Sequence, residues 1–177
     1  MTDFAALSTL IGAGLTPSLT FLYQRLERLL DRGGDPEADP QIPSELTGTL
    51  ALPLQPDTAE LAARTQELEQ LRDALSVYHR GNAPIDSTDA PLLRTLGRLR
   101  SNLEEIYGQR LTFTGEQRPP SGPFVRQRTE HVAGRQIGMD AEEITGAASV
   151  EQEVDTVEQG GTNIGMRAGR IGGSPPT

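Results

Sequence analysis

The sequence GRQIGMDAEEITG at residues 134–146 returns as GTNIGMRAGRIGG at residues 161–173. Seven of the thirteen aligned residues are identical. Repeats of this kind are informative because each copy is expected to form the same structural unit and to stack on its neighbour. The repeat therefore predicts two stacked copies of one short unit near the C-terminus. We call the spacing that aligns Gly134 with Gly161 the repeat offset.

Charged residues that the repeat offset aligns are opposite in sign, both within the two copies and upstream of them. The repeat offset produces four such pairs, which are Asp140 with Arg167, Glu143 with Arg170, Arg126 with Glu153, and Arg128 with Asp155. Strands stacked in register lie about 4.8 Å apart, where like charges repel and opposite charges attract. The charge pattern therefore predicts two rungs of one β stack.

Within each copy, apolar residues alternate with polar residues or glycine, which is the pattern of a β-strand. The residues predicted to form the core of the amyloid strands are Ile137, Met139, Ala141, Ile144, Asn163, Ile164, Met166, Ala168 and Ile171. Because the repeat offset also sets Gln136 against Asn163, we expect these two side chains to begin an amide ladder, which stabilises cross-β stacks.

A stack of only two rungs is too small to be stable in water, and its unpaired edges are templates for further copies. We therefore expect a tail that is disordered in the single chain and forms a two-rung cross-β stack on assembly. The alternative is an inert, glycine-rich tail, since tails of this composition are commonly disordered.

The composition excludes several classes of function. The 177 residues carry a net charge of −9 and contain no Cys, so disulfides and thiolate metal sites are excluded and nucleic acid is disfavoured as a partner. Neither His79 nor His131 has a second ligand at a metal-site spacing, and Gly12 with Gly14 lacks the third glycine of a nucleotide-binding loop. No catalytic residue, cofactor site or metal site is predicted, and we expect that the chain is not an enzyme.

Residues 1–115 have the pattern of a helical bundle, with three apolar stripes at steps of three and four residues. The stripes comprise Leu19, Leu22, Leu26, Leu29 and Leu30; then Leu61, Leu68, Leu71, Leu75 and Tyr78; then Leu92, Leu96, Leu99, Leu103 and Ile106. Asp57 and Asp89 are predicted to cap the second and third helices, while the proline-rich residues 32–56 predict an extended connection and residues 111–116 a short strand.

These patterns predict an all-α fold. It consists of an antiparallel helical bundle over residues 1–115, a linker over residues 116–123 and a repeat-containing tail over residues 124–177.

The segment over residues 4–24 contains no charged residue and has about the length, roughly 20 residues, that crosses a bilayer core. The residues predicted to enter a membrane are Phe4, Leu7, Leu10, Ile11, Leu15, Leu19, Phe21 and Leu22. Pro17 would kink or break a continuous helix. We favour conditional insertion over two alternatives, which are permanent burial in the bundle and a constitutive membrane anchor.

The N-terminal half resembles the bacterial Bell domain, a helical bundle considered analogous to the fungal HeLo domain of membrane-damaging cell-death proteins. The resemblance lies in the stretches FLYQRLERLL (21–30), ELEQLRDAL (67–75) and LEEIYGQRLTFTGE (103–116). The repeated tail resembles bacterial amyloid signalling motifs, and its two-copy layout is similar to the two-rung β-solenoid of a fungal prion-forming domain.

This resemblance implies programmed cell death in bacterial innate immunity and antiphage defence. A nucleotide-binding, oligomerising receptor with a matching motif would template the tail into a prion-like, fibrillar homo-oligomer. The N-terminal segment would then enter the lipid of the inner membrane and permeabilise it as a pore-forming effector. The chain would be cytoplasmic until activated. A rival function is that of a non-lytic adaptor or scaffold protein, recruited through its self-assembling tail.

Overall fold

The computed structural model of the chain describes residues 14–132, 135–144 and 148–171. Its helices are α1 (Leu15–Arg32), α2 (Thr58–His79) and α3 (Ala90–Tyr107), and its strands are β1 (Gln109–Arg110), β2 (Gly122–Val132), β3 (Arg135–Ile144), β4 (Ser149–Val157) and β5 (Thr162–Ile171). The strands form a three-stranded sheet in the order β1-β2-β4 and a two-stranded sheet of β3 and β5. The fold is therefore mixed α/β, and the prediction of an all-α bundle with a disordered tail is wrong.

The helices begin and end at the residues that local sequence signals indicate. The Asp57 carboxylate accepts hydrogen bonds from the backbone N–H groups of Ala59 and Glu60, at 2.8 and 3.1 Å. Asp89 caps α3 in the same way, and Gly108 ends that helix in the left-handed conformation with φ of 59°. These contacts satisfy polar groups that a helix end leaves unpaired, so the predicted caps are confirmed.

The apolar stripes of the three helices meet in one core. All of the predicted stripe residues are buried there except Leu30 and Tyr78, which are partly buried and pack against it. Leu46, Leu50 and Leu54 add to this core from the proline-rich connection between α1 and α2. The helical pattern was therefore sufficient to identify the core, since steps of three and four place side chains on one helix face.

The proline-rich connection is extended but pairs locally with distant segments. Isolated β-bridges join Glu37 to Leu54 and Leu46 to Phe113. The strand predicted over residues 111–116 contributes only Phe113 to such a bridge, and the regular strand β1 comes earlier, at residues 109–110.

Half of the residues predicted to enter a membrane lie in the protein core. Leu15, Leu19, Phe21 and Leu22 are each at most 2% exposed, whereas Phe4, Leu7, Leu10 and Ile11 lie outside the described residues. In the part of the chain that the structure describes, no helix has both the length and the apolar content that a membrane span requires. With two sheets present as well, the structure contradicts the predicted pore-forming helical bundle.

Polar groups within the described part of the charge-free segment and just after it are paired inside the protein. The Ser18 hydroxyl donates to the carbonyl of Gly14 at 2.7 Å. Arg25, only 4% exposed, forms a 3.1 Å ion pair with Glu37. Burial of these groups is tolerated because they have partners, and residues 15–24 pack as part of the amphipathic helix α1.

The C-terminal strands form two parallel pairs, β2 with β4 and β3 with β5. We call these four strands the stack, with β2 and β3 as its first rung and β4 and β5 as its second. The helical part (residues 14–121) adds β1, which pairs antiparallel with the start of β2. A two-rung stack that is too small to stand alone is thus attached to a larger folded body, which is the physical reason for its order in the single chain.

Candidate assembly site

The second strand pair has the register that the repeat predicts. Ile137 lies opposite Ile164, Met139 opposite Met166, Ala141 opposite Ala168, and Ile144 opposite Ile171, which is the repeat offset. The predicted charge pairs Asp140 with Arg167 and Glu143 with Arg170 are also register partners, as are Gln136 and Asn163. The predicted strand positions are therefore strands in the structure, while their role in an amyloid stays a prediction.

The first strand pair has a different register. Arg126 lies opposite Glu151 and Arg128 opposite Glu153. This spacing, which we call the short offset, is two positions less than the repeat offset. The pairs Arg126 with Glu153 and Arg128 with Asp155, which the repeat offset predicted, are therefore wrong.

The change of register has a simple cause in the number of residues that separate the strands. Two residues separate β2 from β3, whereas four separate β4 from β5. The longer second turn converts the short offset into the repeat offset. Because side chains alternate with a period of two, a shift by two positions keeps every side chain on its face. Opposite charges still meet where Arg126 faces Glu151 and Arg128 faces Glu153, and the Arg126 guanidinium lies 3.0 Å from the Glu151 carboxylate.

Three glutamines form a hydrogen-bonded group between the two sheets. Gln136 and Gln152 each donate to the side-chain oxygen of Gln127 at 3.0 Å. Gln127 and Gln152 are register partners in β2 and β4, so that the amide ladder runs through this sheet. Gln136 and Asn163 are in register, as the repeat predicted. The observed side-chain hydrogen bond of Gln136, however, goes to Gln127 rather than to Asn163.

Gly138 is a position where the two sheets approach each other closely. An added Cβ there would lie 2.9 Å from Gln152 Nε2 and nearer still to the Gly165 carbonyl oxygen and Val150 Cγ1. Gly165 is its equivalent in the repeat, yet an added Cβ at Gly165 would meet only Gln152 Oε1, at 3.8 Å. Two glycines that the repeat aligns as equivalent thus have different surroundings.

The face of β3 that points toward β4 carries Gly138, so the alternating apolar residues lie on the opposite face. Ile137 and Met139 are only partly buried, as are Ile164 and Met166 beside them in β5. Glutamine, glycine and Val150, rather than the isoleucines and methionines of the repeat, therefore occupy the space between the sheets. Sequence alternation identifies both faces but does not indicate which one turns inward.

A cluster around Phe124 attaches the stack to the helical part. The Arg110 guanidinium lies 4.3 Å from the centre of the Phe124 ring and donates to Ser149 Oγ at 3.0 Å and to Glu151 at 2.8 Å. Arg126 also bridges Glu151 to Glu105 of α3, which it contacts at 3.0 Å. Strand β4, from the second rung, is in this way bound to the residues of β1.

The two arginines change the proton affinity of Glu151. Partial burial favours the neutral carboxyl, but the hydrogen bonds from Arg110 and Arg126 outweigh it and hold the pKa of Glu151 below its ordinary value. Glu151 is therefore ionised at neutral pH, and its charge contributes to the attachment of β4.

Buried ion pairs hold the residues that were predicted to be a linker. Arg100 of α3 and Glu116 form an ion pair with both side chains fully buried. Arg118 contacts Glu104 at 2.9 Å. Burial raises the pKa of the Glu104 carboxyl, an effect that the charge of Arg118 partly offsets. Residues 116–123 consequently connect the helical part to the stack through specific contacts.

The two outer edges of the stack carry different charges. On the second rung, Glu151, Glu153 and Asp155 project from β4 as exposed residues, and Arg167 does so from β5. On the first rung, the register partners of Glu151 and Glu153 are the basic Arg126 and Arg128, and the partner of Arg167 is the acidic Asp140, whereas the same register sets Asp155 against the acidic Glu130. At three of these four positions one edge is therefore opposite in charge to the other, and such edges can recruit a further strand by backbone pairing.

Several residues of this site were absent from the sequence prediction. They are Arg110, Phe124, Gln127, Glu151 and Gln152. A search of the sequence at the short offset would have aligned Gln127 with Gln152 and Arg126 with Glu151, whereas no sequence signal connects Arg110 to them. Comparison of the chain with family models, with curated proteins and with solved structures finds no match.

Proposed function

We propose that this chain is a signalling effector that is activated when its stack adds to a matching stack. Further copies of the chain then add in the same way and form a fibrillar homo-oligomer. The observation that supports this most directly is the parallel, in-register pairing of the two repeat copies in β3 and β5, with Asp140 opposite Arg167 in that pair and Arg126 opposite Glu151 in the other. Parallel in-register stacking can continue indefinitely, because each added rung reproduces the edge on which the next one pairs.

The source of the first template is a receptor with a matching motif, as the resemblance to bacterial amyloid signalling motifs implies. Each receptor-bound chain would raise the local concentration of the helical parts. The output that follows is permeabilisation of the inner membrane, with antiphage cell death as its biological result.

Membrane entry of α1 would require its residues to leave the core. Exposing a buried Leu or Phe costs about 1.5–3 kcal/mol per side chain, so the four buried residues Leu15, Leu19, Phe21 and Leu22 together oppose release by about 6–12 kcal/mol. Lipid would have to offset this cost.

The burial of these four residues supports a second candidate function. In a non-lytic adaptor, α1 remains in the core and the fibre acts only as a scaffold for recruitment. No residue is assigned a catalytic role in either function, and neither requires a cofactor.

Seeded fibre growth by the full-length chain tests the proposal. We expect wild-type chains to form fibres that give the two cross-β reflections, at about 4.7 Å and at about 10 Å. Ile164→Pro, which removes a donor from β5 and fixes φ, is expected to abolish growth, whereas Ile164→Val is expected to preserve it. Fibres of Ile164→Pro that grow at the parental rate would contradict the proposed role of β5.

The same fibres decide between the two outputs when they are added to dye-loaded liposomes. Leakage that depends on fibre growth identifies the membrane-permeabilising effector. Intact liposomes in the presence of abundant fibres identify the adaptor.

A further inference from the structure

The two outer edges of the stack differ in how they are covered. Strands β4 and β5 end the strand order of their sheets, and no other described strand pairs with their outer edges. On the opposite side, β1 covers the beginning of β2, with Gln109 paired to Pro123 and Arg110 to Gly122. The Phe124 N–H donates to the carbonyl of Gly108 at 2.8 Å, which extends this cover by one residue.

We propose that β1 is an internal cap on β2, so that a folded chain offers a second copy of itself both strands of the β4–β5 edge but only β3 of the first rung. This inference rests on the proposed function, because it concerns the direction in which the assembly grows. The surface is the outer edge of β4 and β5, and the partner is the β2–β3 edge of another copy.

Charge determines which edges can meet. A second copy that places its β2 on β4 brings its Arg126 beside Glu151, and its Asp140 beside Arg167 of β5. A reversed arrangement, with β2 against β2, would bring together two edges that each carry Arg126 and Arg128. Like charges directly opposite each other are destabilising, so the copies stack head to tail. Such a heterologous contact does not close on itself and produces an open filament.

Backbone register shows why β1 obstructs the other edge. Within the chain, Ser149 pairs with Phe124 at the short offset. The same offset between two copies would set an incoming Ser149 against Phe124, whose N–H is already bonded to Gly108. It would also set residue 148 of that copy against Pro123, where Gln109 already lies. Residues 108–110 must therefore withdraw before a chain can be extended on its first rung.

The cap is held firmly enough to act as a barrier. Arg110 is only 3% exposed, and its guanidinium is bound to the Phe124 ring, to Ser149 and to Glu151. A templating partner that has no equivalent of β1 would dock on the β4–β5 edge without any rearrangement. Folded copies, by contrast, polymerise with one another only after β1 is released. The release of β1 therefore distinguishes the inactive single chain from the chain that can assemble.

A reversible covalent lock tests this inference. The chain has no native cysteine, so the double variant Gln109→Cys with Pro123→Cys would contain a single disulfide between β1 and β2. Residues directly opposite in an antiparallel pair have Cβ atoms about 4.5–5.5 Å apart, close to the separation that a disulfide spans. The oxidised and reduced forms of one sample are matched, because they differ only in the lock.

We expect the reduced form to extend wild-type fibre seeds at least as fast as wild type, because Gln109→Cys also removes the two hydrogen bonds between Gln109 and Ala51, and the oxidised form to lose propagation. Propagation by the oxidised form at the rate of the reduced form would overturn the cap while leaving the proposed function intact. Failure of wild-type chains to form fibres at all would overturn the proposed function, and the cap with it.

A second measurement uses the unaltered chain and is therefore independent of how well the cysteine variant folds. Hydrogen exchange at the Gln109 and Arg110 amides is compared between the folded single chain and the mature fibre. We expect protection of β1 in the single chain and its loss in the fibre, with β2 protected in both. Undiminished protection of β1 in the fibre would show that the cap stays closed, and would overturn the inference.

Discussion

Gly138→Ala is expected to destabilise the stack, although it adds only one methyl group. The added Cβ would meet the Gly165 carbonyl oxygen, Val150 Cγ1 and Gln152 Nε2, all closer than 3.0 Å. The first of these is a backbone atom of a paired strand, and it cannot move without shifting β5. The Gln152 amide is part of the hydrogen-bonded group with Gln127, so its displacement also weakens that group.

The expected magnitude follows from the cost of overpacking. Forcing one additional carbon into a packed interior costs about 1–3 kcal/mol, equivalent to about a 5- to 150-fold change in the opening equilibrium of the stack. Gly165→Ala is the matched control, because its added Cβ meets only Gln152 Oε1 at an ordinary contact distance of 3.8 Å. The repeat aligns the two glycines, so sequence alone predicts equal effects for the two substitutions.

Hydrogen exchange of the β3 and β5 amides in the folded single chain measures this difference. We expect Gly138→Ala to reduce protection by about 5- to 150-fold, and Gly165→Ala to change it by much less. Amides of α2 and α3 serve as an internal reference, since neither substitution contacts the helical core. Equal loss of protection in both variants would refute the packing of Gly138 against β4 and the inward orientation of that face.

Two further predictions concern the attachment of the stack and the capping of a helix. Because the pKa of Glu151 is held below 4.5 in the folded chain, its contribution to stability is complete above pH 4.5 and is lost as the pH falls through the lowered pKa. When the free energy of unfolding is measured at decreasing pH, wild type should therefore lose more stability than Glu151→Gln. Parallel curves for the two proteins would show that Arg110 and Arg126 do not stabilise this charge. Asp57→Ala should lower the free energy of unfolding, measured in urea, by about 1 kcal/mol because the α2 cap is lost. Asp57→Asn should retain most of the stability that the cap contributes, and equal losses in the two variants would disprove the capping role.

The helical part was largely predictable, because its signals are local. Leucines three and four residues apart occupy one helix face, and Asp57 and Asp89 cap the helices that follow them. Whether α1 packs in the protein core or enters lipid was not predictable in the same way. A charge-free segment with Ser18 and Thr16 is compatible with lipid or with a protein core, and the choice depends on partners that are distant in sequence, such as Glu37 for Arg25.

The repeat was sufficient to specify its own strands, the register of β3 with β5, and the opposition of charges within that pair. These properties depend on alternation with a period of two and on the identity of aligned residues, which are written along the chain. The register of β2 with β4 is different, because the short offset depends on the difference in length between two turns. Long-range contacts also determine that glutamine and glycine face inward, and that the stack is ordered in the single chain. Such contacts join segments far apart in sequence, above all those that attach Arg110 and Phe124 to β4, and no local pattern encodes them.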